Sequence, residues 1–247
     1  MGAHVQYMPN RNMSFGGGLL LENLRLKPKI ANFIQMTGNV WQYNGHFNFG
    51  VNTLNRKMYP TSGVDIQLET GYIFGHQPDF AAYEDGRELP VDTLNLDFSN
   101  YQRLVAKMNY YIPLGYRGAI QLGVNGGVNF DYSQSLVNAY LLGGLNAFTR
   151  NSVPFVGIYE GEVISPSVAA TQIGVQYEAY KNFFVTPRAA VAVYDFTYGA
   201  AGARYNYLSG YGLSLGYSSR VGPLDASVMY SDQSRNLRVY VNLGFNF

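Results

Sequence analysis

Residues 212–216 have the spacing of a hydrolase nucleophile. They read Gly-Leu-Ser-Leu-Gly and match the G-x-S-x-G elbow of serine hydrolases, with Ser214 at the nucleophile position. An elbow requires a strand, a strained turn that exposes the serine, and a helix after it. Here large apolar residues alternate with glycine and serine through the motif and beyond it, at Tyr211, Leu213, Leu215 and Tyr217. The pattern therefore favours a serine packed in the middle of a strand over a catalytic one.

The chain has few residues that could provide histidine or cysteine chemistry. It has no cysteine, and its three histidines, His4, His46 and His76, are too dispersed to suggest a metal site. None of them has a serine two residues away, as a lipase built on the outer wall of a membrane barrel would need. We expect no catalytic residue, no metal, no cofactor and no enzymatic activity of the chain itself. A barrel-embedded lipid hydrolase stays open as an alternative.

The elements that would carry these residues are strands with one apolar face. In residues 235–247 the apolar side chains occupy every second position, and the same period recurs in residues 64–74 and 118–130. No run approaches the roughly 18 consecutive apolar residues that a membrane-spanning helix requires. Repeated strands of this kind predict an all-β fold, an antiparallel transmembrane β-barrel that forms one domain over residues 1–247.

The composition supports a membrane barrel and argues against nucleic acid as a partner. Charged residues make up 13% of the chain, about half the usual share of a soluble domain, and aromatic residues make up 15%. The 22 tyrosines and 28 glycines suit strands, turns and the aromatic girdles of a barrel. The net charge is only +1, and the basic residues are scattered. Outer-membrane lipid is therefore the expected partner.

The alternation predicts about twelve strands whose connections alternate between short and long. The strands lie roughly at 3–8, 13–25, 30–43, 46–55, 62–75, 99–112, 117–131, 167–180, 183–197, 204–220, 224–231 and 235–247. Tight turns are predicted at 27–29, 59–63, 113–117, 181–182 and 222–223. A two-residue hairpin is predicted at Asn44-Gly45, and the largest loops are 75–100 and 132–166. Because outer-membrane barrels have short periplasmic turns, we expect the C-terminus in the periplasm.

Seven charged residues on these strands are expected to point into the barrel. They are Asp65, Glu69, Arg103, Lys107, Glu178, Arg188 and Arg238. A lysine or arginine that faces lipid at the midplane costs roughly 2–4 kcal/mol, which favours the inward direction. The set fits a pore lining, a dock for the loop 132–166, or an ion-pair ladder that fills the lumen. Its mixed signs favour the ladder, because a selective pore tends to carry one sign.

The loop 132–166 is far longer than an ordinary connection, which predicts a functional or lumen-filling role. It carries Arg150, Glu160 and Glu162. The inward charges of the wall offer partners of both signs, so we expect the loop to fold into the barrel. The expected partners are Glu69, Glu178, Arg188 and Arg238.

Three segments resemble those of a known barrel family. Residues 52–63 read NTLNRKMYPTSG, residues 142–150 read LGGLNAFTR, and residues 220–225 read RVGPLD before a closing strand VYVNLGFNF. Their order and spacing are similar to those of the BamA-type bacterial surface antigen family, in particular the barrel module of bacterial patatin-like phospholipases. The resemblance covers about residues 45–247. One departure is that Asn151 follows Arg150, where the family carries an Arg-Gly-aromatic tip.

The resemblance implies a location in the outer membrane of a Gram-negative bacterium and a role as membrane anchor or translocation barrel. It also implies that Gly143 and Gly144 begin the family's long lumen loop. Phe245 and Phe247 correspond to a signal that the outer-membrane assembly machinery reads during biogenesis. The resemblance implies a barrel of sixteen strands, as in the family. An upstream domain and the first strands are therefore expected outside this chain. The start of the chain shows no signal peptide. A small-solute diffusion channel is the open alternative.

Overall fold

Strands make up most of the chain in its computed structural model. The structure describes residues 1–26, 34–84, 87–89, 98–130, 138–146, 150–196, 205–220 and 222–244. Within this part, no helix is long and apolar enough to cross a membrane. The predicted all-β fold is confirmed, while the number of strands and several boundaries differ from the prediction.

Fifteen strands lie within the described residues. The first seven are β1 (Gly2–Asn10), β2 (Met13–Leu26), β3 (Ile34–Asn52), β4 (Gly63–Glu84), β5 (Arg87–Leu89), β6 (Tyr101–Leu114) and β7 (Gly118–Phe130). Three short ones follow: β8 (Tyr140–Leu142), β9 (Ser152–Val153) and β10 (Val163–Ser165). The last five are β11 (Ser167–Tyr180), β12 (Phe183–Tyr194), β13 (Asn206–Ser219), β14 (Gly222–Ser231) and β15 (Leu237–Leu243).

Eleven of these strands form one antiparallel path in which successive long strands pair. The order is β1-β2-β3-β4-β6-β7-β11-β12-β13-β14-β15, and β5 pairs with the end of β4. Among the described residues, β1 and β15 are not paired with each other. Strands β8, β9 and β10 form a small separate sheet within the long connection from β7 to β11. We call residues 138–146 and 150–166, which carry these three strands, the inner segment.

The register divides the large sheet into two chemically different faces. On β15, Arg238 is 7% exposed whereas its neighbour Val239 is 59% exposed. Successive pairing puts Arg238 on the same side as Met229, Gly212 and Arg188, because directly paired residues point to one side of a sheet. This side also contacts the inner segment, and we call it the inner face. The outer face carries the exposed apolar side chains, as the period of two requires.

The predicted hairpin at Asn44-Gly45 is wrong. Both residues lie in the middle of β3, where Asn44 pairs with Leu20 and Ile73. A type I′ turn requires φ above zero at both central positions, and neither residue has it. The alternation of Trp41 and its neighbours continues through the dipeptide, so pairing on both sides overrides the local turn preference. The predicted strands 30–43 and 46–55 are therefore one strand, and the path has eleven strands instead of twelve.

The first of the two long connections is shorter than predicted. Strand β4 continues to Glu84 and pairs there with the beginning of β3, so residues 75–84 are strand rather than loop. With β3 unbroken, the connections 11–12, 53–62, 115–117, 181–182 and 220–221 all lie at one end of the sheet, which we call the tight-turn end. Leu26 of β2 and Ile34 of β3 lie at the opposite end of the sheet.

Some predicted features lie outside the described residues. These are the turn residues 27–29, the loop positions 85–86 and 90–97, the loop positions 131–137 and 147–149, and the terminal residues Phe245 and Phe247.

Two glycines of the sheet should respond oppositely to an added methyl group. A Cβ on Gly45 would have its nearest neighbours 4.0 Å away, whereas one on Gly210 would lie 1.7 Å from the carbonyl oxygen of Val156. Gly45→Ala should leave the free energy of unfolding unchanged or raise it by up to about 1 kcal/mol. Gly210→Ala should lower it by roughly 1–3 kcal/mol, because the inner segment must move. Urea unfolding of barrels refolded in detergent would measure both, and failure of Gly45→Ala to fold would restore the hairpin interpretation.

Candidate functional site

The inner segment packs its apolar side chains against the inner face. Tyr140, Leu142 and Phe155 are fully buried there. The wall leaves room for them by presenting small residues: a Cβ on Gly127 would lie 2.2 Å from the Tyr140 ring. The wall residues of this core are Val105, Val168, Ala170, Ala190, Ala192, Leu208 and Met229. The segment is therefore seated in a surface shaped for it, with contacts from β6 to β14.

Arg150 attaches the inner segment to the first strands of the sheet. Its Nη1 lies 2.6 Å from Oε1 of Glu22 on β2, and its Nε donates to Oε1 of Glu69 on β4 at 3.1 Å. The Nη2 group forms a second contact with Glu69. Glu22 also accepts hydrogen bonds from Gln42 and Asn44, both at 2.9 Å. Two amide donors thus hold the Glu22 carboxylate in place for the arginine.

Arg238 attaches the inner segment to the last strand. Its Nε and Nη2 donate to the two carboxylate oxygens of Glu162 at 2.8 and 2.6 Å, which is the bidentate arrangement typical of strong arginine pairs. Its Nη1 donates to the carbonyl of Gly157 at 3.3 Å, and its guanidinium lies 5.5 Å from the ring centre of Tyr159. This pair and the Arg150 pairs therefore hold the segment to opposite ends of the strand order.

A third polar contact lies in the middle of the wall, on β6 and β7. The buried Arg103 donates to Oδ1 of Asn151 at 2.9 Å and lies over the ring of Tyr140 at 5.8 Å. The hydroxyl of Tyr140 donates to Oδ1 of Asn129 at 3.0 Å, and Asn129 in turn donates to the carbonyl of Asn138. These bonds pair polar groups that are buried, and a buried polar group left unpaired would be costly.

The connection between β3 and β4, residues 53–62, also reaches into the interior. The Tyr59 hydroxyl donates to Oδ1 of Asp225 on β14 at 2.8 Å, and its ring stacks on Phe184 of β12 at 4.2 Å. Gln176 of β11 donates to the carbonyls of Tyr59 and Pro60, each at 3.1 Å. A turn that belongs to the first strands is therefore bonded to the last ones. We call it the crossing turn.

Two of the cavities formed by the described residues lie beside these elements. The larger has a volume of about 530 Å³ and lies against β2, β3, β4 and β6, with Arg150 above it. Asp65 and Lys107 line it. The smaller has a volume of about 280 Å³ and is bounded by the crossing turn on one side and by Leu145 of the inner segment on another. Arg188 lines this second cavity.

All seven charged residues proposed from the sequence to point inward lie on the inner face, but their contacts differ. Glu69, Arg103 and Arg238 contact the inner segment. Glu178 instead accepts a hydrogen bond from the backbone of Asn182 at 3.0 Å and so holds the turn between β11 and β12. Within the described residues, neither Glu178 nor Arg188 forms an ion pair or hydrogen bond with the inner segment.

The remaining loop residues act within the inner segment itself. Glu160 accepts a hydrogen bond from Ser152 at 2.9 Å. Gly143 and Gly144 have φ of 127° and 72°, a region that side chains rarely adopt. A Cβ on Gly143 would lie 2.0 Å from the carbonyl oxygen of Tyr159. The glycine pair thus allows the two arms of the segment to approach closely.

A protein-family model described as the OMP85 superfamily matches residues 2–247. The chain belongs to the OMP85 superfamily. Membership confirms the BamA-type resemblance and identifies an outer-membrane β-barrel module in the bacterial outer membrane. Barrels of the OMP85 superfamily are generally non-enzymatic. No curated protein matches the chain.

Three residues of the OMP85 interior escaped the sequence analysis. Glu22 lies in a strand whose alternation is blurred by glycines and leucines, yet it is the only acidic residue among the first 60, which could have singled it out. Tyr59 was assigned to an ordinary turn. Asp225 was read as part of a turn motif, and its distance of 166 residues from Tyr59 leaves no local signal for their contact.

Ser214 of the G-x-S-x-G motif lies in the middle of β13 of the OMP85 barrel, and β14 follows. Its hydroxyl accepts a hydrogen bond from Arg188 at 2.7 Å and bonds to the Ser227 hydroxyl at 2.8 Å. His4 and His46 are not dispersed in space, since their rings stack with Nδ1 and Nε2 3.0 Å apart. In the part of the chain that the structure describes, no three acidic or histidine side chains are grouped as metal ligands.

The pair of Arg238 and Glu162 should respond unequally to loss of either charge. Glu162→Gln leaves the buried Arg238 without a counter-charge and should weaken docking of residues 157–165 by roughly 2–3 kcal/mol. Arg238→Gln leaves a carboxylate with 31% side-chain exposure that water can solvate, and it should cost only about 1 kcal/mol. Hydrogen exchange of residues 157–165 in detergent would measure the opening free energy. Glu160→Gln is the matched control, and equal effects of the two charge removals would contradict the argument.

The stability of the crossing turn should depend on both the hydroxyl and the ring of Tyr59. Tyr59→Phe removes the bond to Asp225 and should lower the opening free energy of residues 53–62 by about 1 kcal/mol. Tyr59→Ala also removes the stacking on Phe184 and should lower it by roughly 3 kcal/mol. Hydrogen exchange at these residues measures both variants. Tyr116→Phe, on the fully exposed turn between β6 and β7, is the control.

Burial, together with the hydrogen bond to Asp225, raises the pKa of Tyr59 well above its usual range. The stabilisation by its protonated hydroxyl is therefore present below the ordinary tyrosine pKa of about 10 and is lost at higher pH. Exchange of residues 53–62 should speed up above that pH in the wild type more than in Tyr59→Phe. The same pH dependence in both proteins would assign the effect to another group.

Proposed function

We propose that this chain is a plugged outer-membrane barrel that serves as the anchor or translocation barrel of a larger surface-antigen or patatin-like protein. Its C-terminus lies in the periplasm, at the tight-turn end, and its terminal phenylalanines are read by the assembly machinery. OMP85 membership supports the barrel part of this proposal. The finer role is supported by what fills the interior.

The attachment of the inner segment at several places on the wall carries the proposal. Arg150 binds Glu22 and Glu69 near one end of the strand order, and Arg238 binds Glu162 at the other. The buried core between these ion pairs occupies the space in which an open diffusion channel would have its pore. A resting barrel closed in this way suits an anchor, or a translocation barrel that opens only when the segment is displaced.

A small-solute channel is the second candidate, and the larger cavity favours it. Polar residues of β3, β4 and β6 line this cavity, among them Asn48, Asp65 and Lys107. Its upper boundary is Arg150, which is held by ion pairs and hydrogen bonds rather than by apolar packing. Displacement of that one side chain would lengthen the polar path without removing the core of the inner segment.

Planar-bilayer recordings would separate the two functions. Deletion of residues 145–160 should convert a nearly silent barrel into one with large conductance steps, because the lumen loses its plug. Arg150→Gln should leave the conductance low if the barrel is a closed anchor, and should produce small steps if the larger cavity is a solute path. Tyr116→Ser, on an exposed turn, is the control for protein preparation. An unchanged conductance after the deletion would mean that the segment does not close the lumen, and the proposal would fail.

A further inference from the structure

Arg188, like Arg103, donates to neutral side-chain acceptors inside this barrel, and it lines the smaller cavity. Its Nη1 donates to the Ser214 hydroxyl at 2.7 Å and its Nε to Oε1 of Gln121 at 3.4 Å. The ion pairs found among the described residues involve Arg150 and Arg238 but not Arg188. Arg188 is partly buried, and an accompanying anion would stabilise a partly buried cation that contacts no carboxylate.

The smaller cavity gives such an anion a place. It has a volume of about 280 Å³, room for roughly nine water molecules at about 30 Å³ each. Lys57 lines it together with Arg188, and Asp225 is the one carboxylate in the lining. Asp225 already accepts the hydroxyl of Tyr59. The lining residues therefore carry two formal positive charges and one negative charge.

Two tyrosine hydroxyls add neutral donors to this lining. The hydroxyl of Tyr111 accepts a hydrogen bond from Gln121 at 2.8 Å, and that of Tyr240 accepts one from Asn146 at 3.4 Å. In each of these bonds the tyrosine oxygen is the acceptor, so its own proton can be donated elsewhere. Both residues line the same cavity as Arg188.

We propose that this cavity binds a small oxyanion of the phosphate type, with Arg188 as its main ligand. The planar fork of a guanidinium matches two oxygens of such an anion, and tyrosine hydroxyls suit the remaining ones. The anion would touch the wall at Arg188 while lying between the crossing turn and the inner segment. This site is independent of the anchor or channel role, since neither function requires a ligand there.

Phosphate titration of the folded full-length chain in detergent tests the site. At constant ionic strength maintained with chloride, inorganic phosphate should raise the urea midpoint of the wild type and broaden the ³¹P resonance. Arg188→Gln should raise the dissociation constant for phosphate roughly tenfold or more, the range expected for loss of a charge-assisted bond. Arg117→Gln is the matched control, because Arg117 lies on the exposed turn between β6 and β7 and does not line this cavity, and it should keep the wild-type response.

The outcomes separate a built site from a general salt effect. An equal phosphate response in wild type and Arg188→Gln, or no response in the wild type, would overturn the proposal. Should Arg188→Gln fail to fold, Tyr111→Phe and Arg188→Lys provide the test, and both should weaken phosphate binding while chloride has no effect. Tighter binding of glycerol 3-phosphate than of inorganic phosphate would identify a lipid headgroup as the source. The reverse order would identify free phosphate.

Discussion

A charged side chain on a strand of this sheet has a much lower free energy on the inner face than on the outer face, because lipid covers the outer face. Asp65, Glu69, Arg188 and Arg238 therefore all point to the inner face, and once there they need partners or water. The interior cannot be filled by apolar packing alone, so the elements that occupy it must bring opposite charge with them. Arg150 and Glu162 of the inner segment do so, one for the acidic residues of β2 and β4 and one for the arginine of β15.

The same constraint explains the distribution of small residues on the inner face. Side chains that fill a lumen must approach the wall closely, and they do so where the wall has glycine or alanine. Tyr140 lies over Gly127, and the Val156 carbonyl lies over Gly210. Ser214, in the motif that resembles a hydrolase elbow, belongs to this set: it lies next to Gly212 and accepts a hydrogen bond from Arg188. The small residues that packing requires here have the same spacing as the G-x-S-x-G motif of serine hydrolases.

The fold was largely predictable from sequence, and the interior was only partly so. The alternation with a period of two extends along the whole of a strand, so a single irregular position does not hide it. It therefore identifies the two faces of β7, β13 and β15. The dipeptide Asn44-Gly45 shows the limit, since its turn preference is outweighed by pairing partners that lie far away in sequence. Contacts between distant elements, such as Tyr59 with Asp225, depend on how the whole sheet curves, and no short pattern encodes that. Glu22 was missed for the same reason, because its partner is 128 residues away.

The position of the inner segment in the chain determines when its contacts with the wall can form during folding. The segment lies between β7 and β11 in sequence, yet it is tied to β2, β4 and β15. The ion pairs with β2, β4 and β15 can therefore form only after these strands have come near the segment. Because these contacts join residues that lie far apart in sequence, they are expected to make folding of the barrel slow.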